Sequence, residues 1–224
     1  MGKIAIITPT VREDGLPLVE KAIKRQTHKD FVWCIVSPFT PTVSIAHTWI
    51  KEPTKDKNDV WALNKAYNKV LKCIRCDLNI SWQDHTYAKP DTVERFYNHF
   101  LSEPKTLVTA VGNKYTNDSF SVMSWKDPRE REDQGTYYEC YFNDIEANLC
   151  SIPYQAIADV GGFDESLDRY YGMDFYSVAD RINMLGGYNF KIDQTIKSYS
   201  VGHDRFDNWE ELNAIHGPYE DKRK

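Results

Sequence analysis

Lys3–Ser37, KIAIITPTVREDGLPLVEKAIKRQTHKDFVWCIVS, holds a strand, a helix and a second strand in succession. Lys3 to Thr8 is rich in Ile and alternates weakly, which suggests a buried strand that Pro9 and Thr10 end. Leu16 to Thr27 has the helical period, with Pro17 in the first turn and Leu18, Val19, Ala22 and Ile23 on one face. Phe31 to Ser37 is a second apolar run, closed by Pro38 and Pro41. Two strands joined by a helical crossover form a βαβ unit, and such a unit makes its strands parallel. The chain is therefore expected to be an α/β protein, with a mainly parallel central sheet flanked by helices.

The same pattern continues outward. Residues 38–58 are broken by Pro38, Pro41 and Pro53 and are expected to be mostly loop. Asp59 to Ile74 predicts a helix, because Val60, Leu63, Tyr67, Leu71 and Ile74 fall three or four apart. Leu78 to Trp82 fits a third buried strand. Asp91 to Leu101 predicts a helix with Asp91 and Glu94 at capping-box spacing, and Thr106 to Val111 predicts a fourth strand. Ser119 to Trp125 and Thr136 to Phe142 resemble strands around a charged stretch, Lys126 to Gly135. That stretch reads as a solvated hairpin loop, with a mobile lid over a substrate as the sharper alternative. Ser151 to Val160 predicts a short helix capped by Ser151 and stopped by Gly161 and Gly162. Asp174 to Leu185 predicts a helix ended by Gly186 and Gly187, followed by strands at Tyr188 to Ile192 and Ile196 to Val201.

Length fits one domain over residues 1–210 with a short tail at 211–224. With 41% apolar and 27% charged residues in 224, the composition is that of a folded chain, neither disordered nor membrane-spanning. A net charge of −5 argues weakly against a general nucleic-acid binder. Five cysteines make an odd count without an export signal, so reduced thiols and a cytoplasmic setting are expected. Cys73 and Cys76 form a lone Cys-x-x-Cys, and a zinc site would want a second pair at matching spacing.

Chemistry concentrates in Ile80–Asp91, ISWQDHTYAKPD. A hydrophobic strand runs into Gln83, Asp84 and His85, and the carboxyl end of a parallel strand is where such sheets place ligands. Asp84 offers a hard oxygen and His85 an imidazole nitrogen. Together they suit Mn2+, or less naturally Mg2+, since nitrogen ligation favours the softer ion. The bland alternative is that Asp84 caps a turn and His85 is an ordinary surface residue.

Taken with the rest of the chain, these residues resemble the GT-A glycosyltransferases, especially the large, mostly inverting glycosyltransferase family 2. The resemblance runs from about Lys3 to His203. It is carried by Ile4-Ala5-Ile6-Ile7-Thr8-Pro9-Thr10, by the helix end Gln26-Thr27, and by Asn64 on the helix before the metal motif. Gln83-Asp84-His85 stands in place of an Asp-x-Asp motif, and Gly161-Gly162-Phe163-Asp164-Glu165 matches a Gly-Gly-Phe-Asp-Glu. Gly172-Met173-Asp174, with Arg181 and Gly186-Gly187 after it, matches a Glu-Asp helix in which Met173 replaces the Glu.

The resemblance implies a GT-A fold and transfer of a sugar from a nucleotide-diphosphate donor, UDP by default, to an acceptor hydroxyl. Thr8, Pro9, Thr10, Arg12, Ser37, Asn64, Gln83 and Asp84 would bind the nucleotide. Ser37 stands where relatives carry an Asp that reads the base, which leaves the base open. The metal would be held by Asp84 and His85, with His203 completing the shell. In an inverting reaction a carboxylate takes the acceptor proton, and Asp174 is the candidate base. Retention stays open, because an Asp beside a His also resembles the metal motif of some retaining enzymes. Tyr170, Tyr171, Trp125 and Trp209 are candidates for stacking on sugar faces. The acceptor is unassigned: a glycan, a protein, or a modified DNA base as in phage-type enzymes. A non-catalytic nucleotide-sugar-binding module is the alternative from another class. A nucleotidyltransferase ranks lower, because Thr8 to Arg12 lacks a glycine-rich phosphate loop.

Overall fold

A computed structural model describes residues 3–56, 59, 61–170 and 174–202. β1 (Ile4–Pro9) and β2 (Phe31–Ser37) lie parallel, joined by α1 (Leu16–Lys24). In α1, Leu16, Val19, Ala22 and Ile23 are buried at helical spacing and Pro17 occupies the first turn, as the sequence predicts. β4 (Leu78–Trp82) is parallel to β1 on its other side, following α2 (Leu63–Cys73). The chain thus leaves β1 to one side for β2 and returns to the other for β4. Such a reversal opens a crevice above the carboxyl ends of the two strands.

Between β2 and α2 the loop expected over 38–58 contains an edge strand, β3 (Thr48–Lys51), parallel to β2. Its Thr-Trp-Ile-Lys is too short for periodicity to signal. Leu78–Trp82 is therefore the fourth strand and not the third. Beyond it come β5 (Thr86–Ala88), α3 (Thr92–Ser102) and β6 (Thr106–Tyr115). β7 (Met123–Trp125), β8 (Tyr137–Glu139), β9 (Leu149–Pro153), α4 (Tyr154–Asp159), α5 (Asp174–Leu185) and β10 (Asn189–Val201) complete the described chain. The sheet runs β3-β2-β1-β4-β9-β6-β10-β5, with β7 paired to β6 and β8 to β10. β9 is antiparallel to both β4 and β6, while β6 and β10 are parallel, so the sheet is mixed.

Both faces of the sheet are covered, which is why β1 reads as an unbroken apolar run. Ala5 and Ile7 join Tyr67, Val70, Phe163, Phe175 and Val178 on one face. Ile4 and Ile6 join Leu16, Val19, Trp33, Val93 and Phe96 on the other.

Several local expectations are corrected. Asp91 and Glu94 form no capping box. Asp91 accepts from Arg95 Nε and Glu94 from the Thr27 hydroxyl, while the first-turn amide of Val93 donates to Gln26 Oε1 at 3.0 Å. Gln26, whose Nε2 donates to Ala22 O and Lys89 O, thus caps α3 from the end of α1. The helix expected over Ser151–Val160 begins only at Tyr154. Ser151 is buried within β9, because Leu149–Pro153 fills the gap between β4 and β6. The two strands expected at 188–192 and 196–201 are one, β10, with an irregularity between Asp193 and Lys197. Lys126 to Gly135 is largely exposed, as expected of a solvated loop, but it does not close a hairpin. Its flanking strands pair with β6 and β10 instead of with each other, and Asp127 is fully buried. The helix expected from Asp59 starts at Leu63, where the buried Asp168 accepts the amides of Asn64 (2.8 Å) and Lys65 (3.2 Å). The tail at 211–224 lies outside the described residues.

Candidate active site

The crevice above β1 and β4 is floored by side chains from both strand ends. The Thr10 amide donates to Val36 O at 2.8 Å, extending β1's pairing with β2 by one residue. The Thr10 hydroxyl accepts the Arg12 amide at 2.9 Å and donates to Asp84 Oδ2 at 2.6 Å. Arg12 Nη1 stands 3.6 Å from the same oxygen. Asp84 is thus held by a hydroxyl and a guanidinium from the β1 loop, with its side chain 11% exposed. Among the described residues its second oxygen, Oδ1, takes no hydrogen bond.

The turn that carries Asp84 is fixed on both sides. Trp82 Nε1 donates to Thr86 O at 2.9 Å across it. The His85 amide donates to Gly15 O at 3.3 Å, and His85 O accepts the Val201 amide at 2.9 Å. His85 adopts φ +54°, a left-handed conformation rare for a side-chain-bearing residue and common where structure over-determines a site. Its imidazole packs against Gly15, where a β-carbon would sit 2.6 Å from Cδ2 and 2.9 Å from Asp84 Cβ. Nε2 is 3.6 Å from Asp14 Oδ1, so Asp14 is a carboxylate of this site that the sequence reading passed over. Arg12-Glu13-Asp14-Gly15 was the available signal: a charged loop ending in glycine directly after β1.

Not every candidate lines the crevice by its side chain. Thr8 is fully buried, and its hydroxyl accepts Trp33 Nε1 at 3.0 Å. Pro9 ends β1 and is buried. Ser37 is buried at the end of β2, donating to Phe39 O at 2.6 Å and accepting Trp49 Nε1 at 3.1 Å. Asn64 sits at the start of α2, where its Nδ2 donates to Asp168 Oδ1 at 2.9 Å and its buried Oδ1 has no hydrogen-bond partner among the described residues. Gln83 is half-buried, and its amide donates to Asn148 O at 3.1 Å, which carries the β4–β9 ladder one rung further. The side chain of Asp174, the first residue of α5, and the whole of His203 lie outside the described residues. β10 nevertheless delivers the chain to Gly202 beside the Gln83-Asp84-His85 turn, through the Val201–His85 bond.

The cysteines are free, with Cys34 and Cys76 raised to about 12 by burial, and Cys73 exposed while Cys76 is buried. Among the described residues no helix is long and apolar enough to cross a membrane. Nor do three or more His, Cys, Asp or Glu among them stand grouped to hold a metal ion.

No protein-family model matches the chain, and no curated protein matches it in sequence. Solved structures do. The mannosyltransferase PcManGT from Pyrobaculum calidifontis, in complex with GDP-Man and Mn2+, superposes with TM-score 0.65 at 15% identity, over 96% of this chain and 61% of that one. S. aureus TarS superposes with TM-score 0.65 at 10% identity, over 95% of this chain and 38% of that one. The chain has the GT-A fold. In this GT-A chain, the turn of Gln83-Asp84-His85 lies at the tip of β4, beside the loop that leaves β1. The chain spans less than two thirds of the length of either neighbour.

Proposed function

We propose that this chain is a metal-dependent glycosyltransferase, moving a sugar from a nucleoside-diphosphate donor to an acceptor hydroxyl. The observation that carries this is the seating of Asp84 and His85 at the switch point between β1 and β4, with Thr10 and Arg12 converging on Asp84. A diphosphate over that point meets a fixed guanidinium on one side and an acid–imidazole pair on the other. The pair fits a divalent cation, Mn2+ ahead of Mg2+. Among the described residues Asp84 keeps one oxygen clear of hydrogen bonds, and His85 would add nitrogen. His203 and the diphosphate oxygens would complete the coordination. Bound there, the ion would neutralise charge on the departing diphosphate.

The protein's own groups supply the rest. Arg12 offers a second positive charge to the phosphates. Thr8, Pro9, Ser37 and Asn64 would act behind the nucleotide by fixing the ends of β1 and β2 and the start of α2, Thr8 and Ser37 through buried hydroxyls. UDP is the default donor nucleotide, and the mannosyltransferase neighbour with GDP-Man keeps guanine in consideration. Asp174 opens α5, where the helix dipole favours an ionised carboxylate, and is assigned as the base that takes the acceptor proton in an inverting reaction.

The test is nucleotide and nucleotide-sugar binding with and without Mn2+, followed by turnover. Asp84→Ala is expected to abolish metal-dependent binding. Asp174→Asn is expected to retain binding and to lose turnover by about two orders of magnitude or more. Binding that ignores both the metal and Asp84→Ala would mark a nucleotide-sugar-binding module in place of an enzyme.

A further inference from the structure

The Asp84 turn divides the rim of the sheet. β1 and β2 lie on one side of β4, and β9, β6, β10 and β5 lie on the other. The proposed nucleotide site takes the β1–β2 side. An acceptor meets the donor at its sugar end, away from the nucleotide, which leaves it the rim formed by β10 and β6. The ends of those two strands adjoin the turn. The Val201 amide donates to His85 O at 2.9 Å, and the Gly202 amide donates to Tyr115 O, at the end of β6, at 3.0 Å.

Strand register locates the side chains on that part of the rim. Thr86, two residues after Asp84, is opposite Ser200 of β10; Ser200 is opposite Lys114 of β6; Lys114 is opposite Trp125 of β7. Directly paired residues share a face of the sheet, so the four form one row. The row begins at the site itself, where Thr86 Oγ1 donates to Asp84 O at 3.2 Å and stands 3.2 Å from Ser200 Oγ. With neighbouring strands about 4.8 Å apart, Trp125 lies about 14 Å from Thr86. The row also emerges from the fold along its length. Thr86 is buried, Ser200 half-buried, Lys114 exposed, and Trp125 40% exposed.

Trp125 is therefore a surface indole, and it is held in place. Lys114 Nζ lies over its ring, 5.1 Å from the centroid. One ammonium covers one face of an indole and leaves the other open. The β6–β7 pairing slips between Lys114 and Tyr115, an irregularity of the kind that re-aims a side chain beside a site.

We propose that Trp125, supported by Lys114, is an acceptor subsite for a glycan chain. A sugar ring has an apolar face of C–H groups that suits the open side of the indole. Its hydroxyl oxygens can accept from the Lys114 ammonium. The separation from the Asp84 turn is longer than one sugar ring, so the acceptor is an oligosaccharide and not a single sugar. Its reacting end lies by Asp84, and a ring further along the chain rests on Trp125. This names the acceptor class for the proposed transferase and rests on that reading.

The experiment titrates wild type, Trp125→Ala and Trp125→Phe by calorimetry, in Mn2+ with UDP or GDP. The probes are glucose, N-acetylglucosamine, mannose and galacturonic acid, each as the single sugar and as a linear tetramer. At least one tetramer is expected to bind wild type about tenfold more tightly than its single sugar. Trp125→Ala is expected to remove that advantage, and Trp125→Phe to keep most of it. Affinity for UDP and GDP, and the melting temperature, should be the same in all three proteins. Equal affinity of wild type for tetramers and single sugars would overturn the subsite, as would a length preference that survives Trp125→Ala. A wild-type dimer that Trp125→Ala dissolves, read by gel filtration, would overturn it too and mark a contact between copies. Tetramer binding through Trp125 without binding of either nucleotide would keep this subsite and remove the donor reading.

Discussion

Gly15 has a helical φ of −79°, so its lack of a side chain serves space and not backbone freedom. The His85 ring occupies the volume that a β-carbon would take, 2.6 Å away at its nearest atom. Gly15→Ala is therefore expected to leave the backbone of this loop intact and to drive the imidazole out of place. Mn2+ affinity in the presence of nucleotide should fall about tenfold or more, as found when a metal-ligand support is lost, with a small change in unfolding temperature. Calorimetric titration with Mn2+ reads the first and thermal melting the second. Asp84 shows the same economy of contacts. Oδ2 is committed to Thr10 and Arg12 from the loop after β1, and among the described residues Oδ1 takes no hydrogen bond.

Elements here are tied together by single polar side chains. Asp168, from the turn after Gly161-Gly162-Phe163-Asp164-Glu165, caps α2 through two backbone amides and the Asn64 side chain. Burial outweighs those hydrogen bonds and raises its pKa to about 6. A raised carboxylate pKa means the folded state holds the proton more tightly, so this residue's contribution to stability falls as pH rises from about 4 to 6. The difference between wild type and Asp168→Asn in denaturant midpoint should change across that window and be flat above it. In the segment between β6 and β9, Asp127 and Arg129 form a buried pair. Asp127→Ala leaves a guanidinium that is only 8% exposed with Glu146 as its remaining ionic partner, and should cost about 3 kcal/mol by chemical denaturation.

The same elements show what pattern reading can reach. Strands and helices of the βαβ unit, and α5 with its Gly186-Gly187 stop, are local events written in periodicity and punctuation. β4 was equally plain, and with it the place of Asp84 and His85. The segment from Ser119 to Ser151 was not, because its pairing partners lie far away in sequence. Ser151 looks like a helix cap until β4 and β6 close around it, and Asp127 and Arg129 look like surface charges until the fold buries them together. Asp14 escaped because only folding brings the β1 loop beside His85. Gln26 was noticed as a helix end, yet its work as a cap for α3 depends on a helix 67 residues away.

At the scale of the molecule, the sheet order β3-β2-β1-β4-β9-β6-β10-β5 gathers the loops after β1 and β4, the start of α2 and the approach to β9 along one rim. The loops after β1 and β4 come from the first half of the chain, while β9 and α5 come from the second. β9 and β10 both pair with strands of the first half, and β10 ends by donating the Val201 amide to the carbonyl of His85. That proton is a built-in reporter. Its exchange with deuterated solvent requires the Val201–His85 bond to open, so a ligand that rigidifies the His85 turn should slow it. Mn2+ with nucleotide is expected to lengthen its exchange lifetime several-fold while leaving amides in the β1–β2 ladder unaffected. Exchange mass spectrometry with and without the pair would read occupancy of the first half of the chain from an atom in the last strand of the second.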